Sequence, residues 1–553
     1  MLQVQSGLQG KKLSAPFLVG GLKQEHYKRM NCLMIGLDGA TFTLLRRFCD
    51  EGVTPFLDSL IKGGTHGDLM STRNPLTPPA WTSMTTGRSP EAHGIYDFLR
   101  PAFLDDGSVY LKVNDSRYNH AESVFSMANR HGMRATALNF YGMSPAPELD
   151  GYVVSGFVPW KYLRQGMHPK TLFDELKALD TFDYRDLGMD IGEEKKCVQG
   201  LHEGEHEEWI ALQNVRDAAW TDVTCRMMDK DRTELTAVVL DGPDKIQHLF
   251  WRFLDPDYFS HDDDEWIQSM REQATDFYKK MDDNIRRMVE TAGPDTDVII
   301  VSDHGFGPTT EIVYINEWLS RQGHLIWTDQ AEGDDVGQLT AEKLRDHLGM
   351  VDWRKTKAFS PTPSSNAIYV KKDLGAGNGV KEEDYLEFCM KLKEDLLEMS
   401  DPATGEKIIT AVDLNKLKGT PFIEPCPDMT LHLRDGGFVS ILHSEEIVVQ
   451  REHPDGTHRP AGIFVGHGPS FAKGKQIDAL NLLDMTPLML TLLGLPVPAD
   501  MEGRVPTEVF AAETEVLHGA ATVAKAGNDD DGEPSEEERE ALLRQMKQLG
   551  YMD

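Results

Sequence analysis

The chain has 553 residues, 40% of them hydrophobic and 27% charged, a composition typical of a globular protein large enough for more than one core. Its formal net charge of −33, from 57 basic and 90 acidic residues, excludes the broad basic surface that nucleic-acid polymers require. A small anionic substrate is not excluded, because metal ions bound inside a site can dominate the local field.

The cysteines and the apolar segments indicate a cytoplasmic protein. The six cysteines are scattered and form no CxxC pair, which predicts unpaired thiols in a reducing compartment. The early stretch Leu13–Leu22 is interrupted by Pro16 and two glycines, and it is too short and weak for a secretion signal. No run approaches the roughly 20 apolar residues of a membrane span. No pattern specifies an oligomeric state.

Apolar runs and amphipathic stretches alternate along the first half of the chain. Four runs are typical of buried parallel strands: Cys32–Leu37, Leu235–Leu240, Val298–Val301 and Gly462–Val465. Four stretches have helical spacing: Pro55–Lys62, Ala121–His131, Glu208–Asp229 and Gln268–Thr291. The alternation predicts a doubly wound α/β fold with a mostly parallel central sheet flanked by helices. Asp or His follows each strand closely, at the edge where such sheets bind ligands.

The remaining segments divide the chain into parts. Residues 31–309 and 456–510 form the predicted catalytic core, closed by a buried helix within Leu480–Leu495. Residues 310–455 are predicted as a smaller α+β cap, since short strands surround a helix at Asp384–Met399. Residues 1–30 are a predicted extension, and 511–553 a predicted acidic linker followed by a terminal helix.

Two residues near the N-terminus have the chemistry of a site. Asp38 follows the first strand and precedes a glycine, although such an Asp alone is more often an ordinary turn residue. Thr77 occupies a predicted N-cap position, with Pro78 as the first helical residue and Gly87 as the stop. A hydroxyl there would lie beside free backbone N–H groups, which favour phosphate, and a nearby metal would make it a nucleophile.

Three later segments supply carboxylates and imidazoles. Asp244 and His248 are four residues apart, so they share one face of a helix and can bind one metal. Asp303 and His304 end a strand and precede two glycines in SDHGFG, an uncommon grouping and the strongest single motif. His458 precedes the last strand and ranks above its neighbours His453 and His467 as the missing ligand.

The candidate ligands are three Asp and three His side chains. Two metals with three protein ligands each would leave open positions for a substrate and a nucleophile. Nitrogen and oxygen donors without thiolate suit Zn²⁺ or Mn²⁺, and suit Ca²⁺ less well.

Five segments, taken in chain order, resemble the alkaline phosphatase superfamily. The resemblance is to its branch of type I phosphodiesterases and nucleotide pyrophosphatases. The segments are Leu33–Gly39, Leu76–Gly87, Leu240–His248, Val301–Gly307 and Gly456–Arg459. The resemblance extends from Leu33 to about Gly503. It implies an alkaline phosphatase-like fold and hydrolysis of a small phosphate ester.

The resemblance also implies a role for each candidate. Asp38, Asp303 and His304 would bind one metal, and Asp244, His248 and His458 the other. Thr77 would attack phosphorus in line and form a phospho-threonine, which water then hydrolyses.

Two departures from relatives bear on the substrate. Nucleotide pyrophosphatases of this family carry an Asn beyond the nucleophile, and Pro78–Trp81 has none, so a backbone group or a cap residue would bind that phosphate oxygen. Sulfatases need a Cys or Ser that is converted to an aldehyde, which Thr77 cannot form.

Three alternatives stay open beside a phosphodiesterase. A phosphomonoesterase or a metal-dependent phosphomutase would use the same metal core, although cofactor-independent phosphoglycerate mutases have a serine nucleophile and a cap inserted near it. A non-catalytic metal-binding protein of the same fold is the third, and retention of all six ligands and the hydroxyl argues against it.

Overall fold

The structure is a computed structural model, and it describes residues 31–522 except 105–106, 180–181, 190–195, 197–199, 203, 261–263, 329–348, 374, 376 and 417–420. The predicted N-terminal extension and the predicted C-terminal helix therefore lie outside the described residues. Among the helices that the structure describes, none is both long and apolar enough to cross a membrane.

The described helices are α1 (Phe42–Asp50), α2 (Pro55–Gly63), α3 (Thr77–Thr86), α4 (Pro90–His93), α5 (Val124–Arg130), α6 (Leu172–Lys177), α7 (His206–Asp231), α8 (Gly242–Leu254), α9 (Glu265–Ala292), α10 (Ile315–Arg321), α11 (Tyr385–Leu397) and α12 (Met485–Leu492).

The described strands are β1 (Asn31–Leu37), β2 (Thr65–Met70), β3 (Leu99–Phe103), β4 (Val109–Val113), β5 (Ala135–Leu138), β6 (Gly151–Val154), β7 (Met167–His168), β8 (Leu235–Leu240), β9 (Thr296–Val301), β10 (Gly305–Tyr314), β11 (Ala358–Phe359), β12 (Ala367–Val370), β13 (Ile409–Leu414), β14 (Met429–Leu433), β15 (Val439–Ser440), β16 (Val448–Arg459), β17 (Ala461–His467), β18 (Lys475–Gln476), β19 (Leu480–Asn481), β20 (Val497–Pro498) and β21 (His518–Gly519).

A ten-stranded sheet forms the centre of the molecule, in the order β18-β2-β17-β9-β1-β8-β5-β6-β7, with β19 also paired to β2. The run from β9 through β1, β8 and β5 to β6 is parallel. Every residue of β8 and β9 is buried, as expected for strands covered on both faces. The predicted fold, a mostly parallel sheet flanked by helices, is confirmed.

The direction predicted for the fourth run is wrong. Gly462–Val465 lies in β17, which is antiparallel to both of its neighbours, β9 and β2. The reason is the path of the chain: it leaves β9 through β10 and returns through β16, and these two strands form one antiparallel ribbon. The strand that continues from β16 must therefore run against β9, and a short apolar run carries no signal of direction.

Helices cover both faces of the sheet and divide the core in two. Beneath one face, α1, α2, α7, α8 and α9 pack on side chains such as Leu33, Ile35 and Val238. Beneath the other, α3, α5 and α12 pack on Met34 and Val239. Alternate residues of each strand thus enter opposite layers, which is the pattern of a three-layer α/β protein.

A second sheet, β11-β12-β14-β13, lies within the predicted cap and has its own hydrophobic cluster with α10 and α11. The hairpin of β3 and β4, which comes much earlier in the chain, adds Val109 to this cluster. The Lys371 ammonium also donates to the Gly107 carbonyl at 3.0 Å. The cap region is therefore built from two separate segments, whereas the predicted domain boundaries themselves stay a prediction.

Candidate metal centre and active site

The predicted site residues extend from the carboxyl edge of three adjacent strands. Asp38 follows β1, and Asp303 and His304 follow its neighbour β9. On the other side of β1, β8 leads directly into α8, which carries Asp244 and His248 one turn apart. His458 comes from β16, a strand that precedes β17, and its backbone pairs with Phe306 of β10.

Asp38, Asp303 and His304 form one cluster of possible ligands, all of them buried. The Nε2 atom of His304 lies 3.2 Å from Asp303 Oδ2 and 3.5 Å from Asp38 Oδ1. The Gly39 N–H donates to Asp303 Oδ1 at 3.2 Å, so the other oxygen of that carboxylate is left facing the cluster.

Asp244, His248 and His458 form the second cluster. The Oδ1 atom of Asp244 lies 3.1 Å from His458 Nε2 and 3.5 Å from His248 Nε2. The two imidazole Nε2 atoms are 3.1 Å apart. In each cluster the potential ligand atoms lie within 4.8 Å of one another, which is the spacing needed to surround one cation.

The two clusters are neighbours. His304 Nε2 of the first lies 3.9 Å from Asp244 Oδ1 of the second. The rings of His304 and His458 stack with centroids 3.6 Å apart. All six predicted ligands therefore meet in one place, although they are spread over most of the sequence.

A backbone carbonyl orients each of the three imidazoles. The Nδ1 atoms of His248, His304 and His458 lie 3.1, 3.1 and 2.7 Å from the carbonyl oxygens of Gly456, Gly305 and Pro75, respectively. Because a carbonyl only accepts, each Nδ1 carries the proton and each Nε2 presents a lone pair to the cluster. Metal-binding histidines are typically held in this way.

Several atoms facing the clusters have no hydrogen-bond partner among the described residues, although they are buried: Asp38 Oδ1, Asp244 Oδ1, Asp303 Oδ2 and His304 Nε2. Unsatisfied buried polar atoms are costly, so four in one place require an explanation. All four are potential metal ligands, and the residues present therefore fit bound divalent cations.

The pKa shifts of the first cluster also fit a bound cation. Burial, together with the charges of Asp303 and Asp244, raises the pKa of Asp38 well above its ordinary value. Burial and the charge of Asp244 likewise raise the pKa of Asp303, and burial beside His458 lowers the pKa of His304. Each shift disfavours the charged side chain. A cation between the carboxylates would lower the pKa of both Asp side chains and favour their charged forms, and it would keep His304 in the neutral form that binds metals.

Thr77 is the first residue of α3 and is buried, with Leu76 rather than Thr77 at the N-cap. The predicted cap position is therefore wrong by one residue, and Pro78 is the second helical residue. The predicted stop is confirmed, since Gly87 ends the helix in the left-handed conformation with φ 66°.

The helix start also offers fewer N–H groups than expected. Pro78 and Pro79 have none, and the Ala80 N–H donates to the Leu76 carbonyl at 3.0 Å. In this described turn only the Thr77 N–H remains for a ligand. The expectation of several free amides is wrong because the prolines that favour this helix start also remove its donors.

Three supporting contacts were not predicted. The Trp81 indole, one turn after Thr77, donates to Asp38 Oδ2 at 3.1 Å. The Ser71 hydroxyl donates to the Asp303 carbonyl at 2.6 Å, and the Pro75 carbonyl binds His458. The four-residue spacing of Thr77 and Trp81 would have been a signal for the first contact, whereas the other two join segments far apart in sequence and have no local pattern.

The competing histidines do not join the clusters. The side chain of His453 is 57% exposed, in the outer part of the β10–β16 ribbon. His467 ends the antiparallel strand β17, and it pairs with Val298 near the start of β9. It therefore lies at the edge of the sheet opposite to Asp303, as the reversed direction of β17 dictates.

Comparisons with known proteins identify the family. Residues 32–458 match the family described as type I phosphodiesterase / nucleotide pyrophosphatase. No curated protein matches the chain in sequence.

Among solved structures, murine ectonucleotide pyrophosphatase / phosphodiesterase 5 is similar with a TM-score of 0.50 at 15% identity, covering 87% of this chain and 100% of that one. The human protein of the same name gives a TM-score of 0.49 at 16% identity, again over 87% and 100%. At these identities the likeness concerns the fold alone.

The matched segment contains all six clustered side chains and Thr77, and it extends over most of the chain. The family is metal-dependent, as the two clusters suggest. The chain therefore belongs to the type I phosphodiesterase / nucleotide pyrophosphatase family and is a phosphoric ester hydrolase.

Proposed function

We propose that the protein is a two-metal phosphodiesterase or nucleotide pyrophosphatase that acts through a phospho-threonine at Thr77. One observation carries the proposal: two adjacent clusters of carboxylate and imidazole ligands, each imidazole oriented by a carbonyl. Asp38, Asp303 and His304 would hold one cation, and the second cluster the other. Their nitrogen and oxygen donors favour Zn²⁺, with Mn²⁺ as the alternative.

When bound, the cations would neutralise charge on the phosphoryl oxygens and ease deprotonation of the attacking hydroxyl. The Thr77 oxygen would form a bond to phosphorus while the bond from phosphorus to the leaving group breaks. Water would then cleave the phospho-threonine and release a phosphomonoester or a nucleotide. The Thr77 N–H would bind one phosphoryl oxygen, and the hydrogen bond from Trp81 would hold Asp38 beside the helix.

The test is hydrolysis of bis(p-nitrophenyl) phosphate against p-nitrophenyl phosphate, with Zn²⁺ or Mn²⁺. We expect the wild type to prefer the diester and Thr77→Ala to lose turnover of both. Thr85→Ala is the matched control, because Thr85 lies in the same helix and its hydroxyl donates within that helix, to the Trp81 carbonyl at 2.8 Å and the Thr82 carbonyl at 3.4 Å.

Each other outcome has a defined meaning. Retained turnover in a folded Thr77→Ala variant would contradict the nucleophile. A monoester preference would favour a phosphatase, and metal loading without cleavage of either ester would favour a mutase or a binding protein. If the diester preference holds, dinucleotides and nucleotide anhydrides are the next substrates to screen.

We also infer a cytoplasmic location from the cysteines. The described cysteines, Cys32, Cys49, Cys225, Cys389 and Cys426, are all free thiols. Cell fractionation tests this location, and recovery from an extracellular fraction with disulfides would contradict it.

A further inference from the structure

Helix α7 packs against the start of α8, the helix that carries Asp244 and His248. One face of α7 presents buried side chains at helical spacing: Trp209, Gln213, Arg216, Asp217 and Trp220. Two of them contact the backbone of the first turn of α8. Asp217 Oδ1 accepts a hydrogen bond from the Gly242 N–H at 3.2 Å, and the Trp209 indole donates to the Lys245 carbonyl at 3.2 Å.

Asp217, a residue of α7, thus accepts a hydrogen bond from a backbone N–H at the N-terminus of α8, as an N-cap side chain would. The residue at the N-cap position of α8, Asp241, makes no capping hydrogen bond with its side chain. A Cβ at Gly242 would collide with Asp217 Oδ2, so glycine is required for this close approach.

A buried ionic network holds the Asp241 side chain away from the cap position. Its oxygens lie 2.8 Å from Lys245 Nζ and 3.5 Å from Arg216 Nε, and all three side chains are at most 6% exposed. Asn139, at the end of β5, donates to Asp241 Oδ1 at 3.2 Å and to the Val239 carbonyl at 2.8 Å. The junction between β8 and α8 is therefore fixed from three sides.

These contacts lie on both sides of Asp244, a possible ligand of the second cluster. Gly242 and Lys245, whose backbones Asp217 and Trp209 bind, flank Asp244 in sequence, and His248 follows one turn later on the same rigid helix. A shift of the first turn of α8 would move both side chains relative to His458, which comes from a different element. Small displacements of ligands lower metal affinity, and partners that orient ligands affect it by about 10- to 100-fold.

We propose that Asp217 is a positioning residue for the Asp244–His248–His458 metal centre, acting through the first turn of α8. The inference rests on the proposed function, because it assumes that this cluster binds a cation. Asp217 belongs to neither cluster of possible metal ligands. Its effect is to hold the backbone from which two of the ligands extend.

The test is calorimetric titration of the metal-free protein with Zn²⁺ in competition with a chelator. We expect two binding steps in the wild type, of which His248→Ala removes one. Asp217→Ala should weaken that same step by about 10- to 100-fold and leave the other unchanged. Asp217→Asn should restore it, because the amide oxygen still accepts from the Gly242 N–H.

A matched control is available in Asp282, which caps another helix from outside. Asp282 of α9 accepts from the Phe56 and Leu57 N–H groups of α2, at 2.9 and 2.7 Å, and α2 carries none of the six ligands. Asp282→Ala should lower the free energy of unfolding and leave both binding steps unchanged. The comparison separates positioning from a loss of stability alone.

The outcomes distinguish this inference from the proposed function. Two normal binding steps in a folded Asp217→Ala variant would overturn the positioning role, whereas absence of any binding step in the wild type would overturn the metal centre itself. If Asp217→Ala does not fold, Gly242→Ala tests the same contact from the other side. It should weaken the same step, and unchanged binding in that variant would also overturn the role.

Discussion

The indole Nε1 of Trp81 donates a hydrogen bond of 3.1 Å to a carboxylate oxygen of Asp38. This contact joins the helix that begins with Thr77 to the end of β1. It also explains a glycine inside that strand, since a Cβ at Gly36 would collide with the Trp81 ring. One hydrogen bond therefore links the helix that begins with Thr77 to the first cluster.

Trp81→Phe should weaken metal binding at the Asp38–Asp303–His304 cluster by about 10- to 100-fold, because the donor to Asp38 is lost while a smaller aromatic ring still fills part of the space. Zinc content after dialysis against a weak chelator measures the effect. Trp251→Phe is the control, since Trp251 is equally buried and donates to Asp255 instead. Equal zinc content in the two variants would show that the hydrogen bond to Asp38 is unimportant.

His304→Ala should lose metal as well as activity. The imidazole is buried and its Nε2 lies within 4 Å of three carboxylates. The variant removes this nitrogen ligand, so the carboxylates alone would have to hold the cation. Elemental analysis of the purified protein gives the stoichiometry. His453→Ala, an exposed histidine, should retain the full content. Full occupancy in His304→Ala would contradict the assignment of ligands.

Thr77→Ala should unfold at nearly the same urea concentration as the wild type. Thr77 is the first residue of α3 and not its N-cap, so the loss of about 1 kcal/mol that a missing cap causes is not expected. Urea unfolding followed by circular dichroism measures it. A large decrease in stability would mean that the hydroxyl has a structural partner.

Asp97 should make stability depend on pH. Its carboxyl accepts from the Thr362 hydroxyl across to the cap region, and burial raises its pKa to about 6, although these hydrogen bonds oppose the shift. Because the folded pKa lies above the ordinary value of 3.8, the unfolding free energy falls as pH rises from about 4 through about 6. Two pKa units correspond to roughly 3 kcal/mol.

The measurement is urea unfolding of the wild type and Asp97→Asn at pH 4 and pH 7.5. The asparagine does not titrate, so the stability of the wild type relative to the variant should decrease by up to about 3 kcal/mol between the two pH values. The same difference at both values would show that Asp97 ionises normally.

The sequence was most informative where one residue type has one physical meaning. Leu235–Leu240 was predicted with the bounds that β8 has, because buried strands are continuous apolar runs. The i, i+4 spacing of Asp244 and His248 correctly placed both on one helix. The adjacent Asp303 and His304 also lie where the end of β9 predicted them.

Features that depend on distant pairing could not be predicted. The direction of β17 is set by the β10–β16 ribbon. Val109 joins the cap cluster because the β3–β4 hairpin, which is distant in sequence, packs against the cap region. The sequence does not predict a strand at His458, because Gly456 and the polar residues before it hide the strand pattern, whereas pairing with β10 extends β16 through it. Such contacts override local preference.

The position of His458 has a consequence for how the protein matures. Asp38 comes near the beginning of the described chain and His458 near its end, and β16 reaches the site only after the cap region has been made. During synthesis the ribosome would release the last ligand long after the first, so a complete centre cannot assemble on a nascent fragment. Once loaded, each ion would act as a cross-link that closes a very long loop, which reduces the conformational entropy of the unfolded chain.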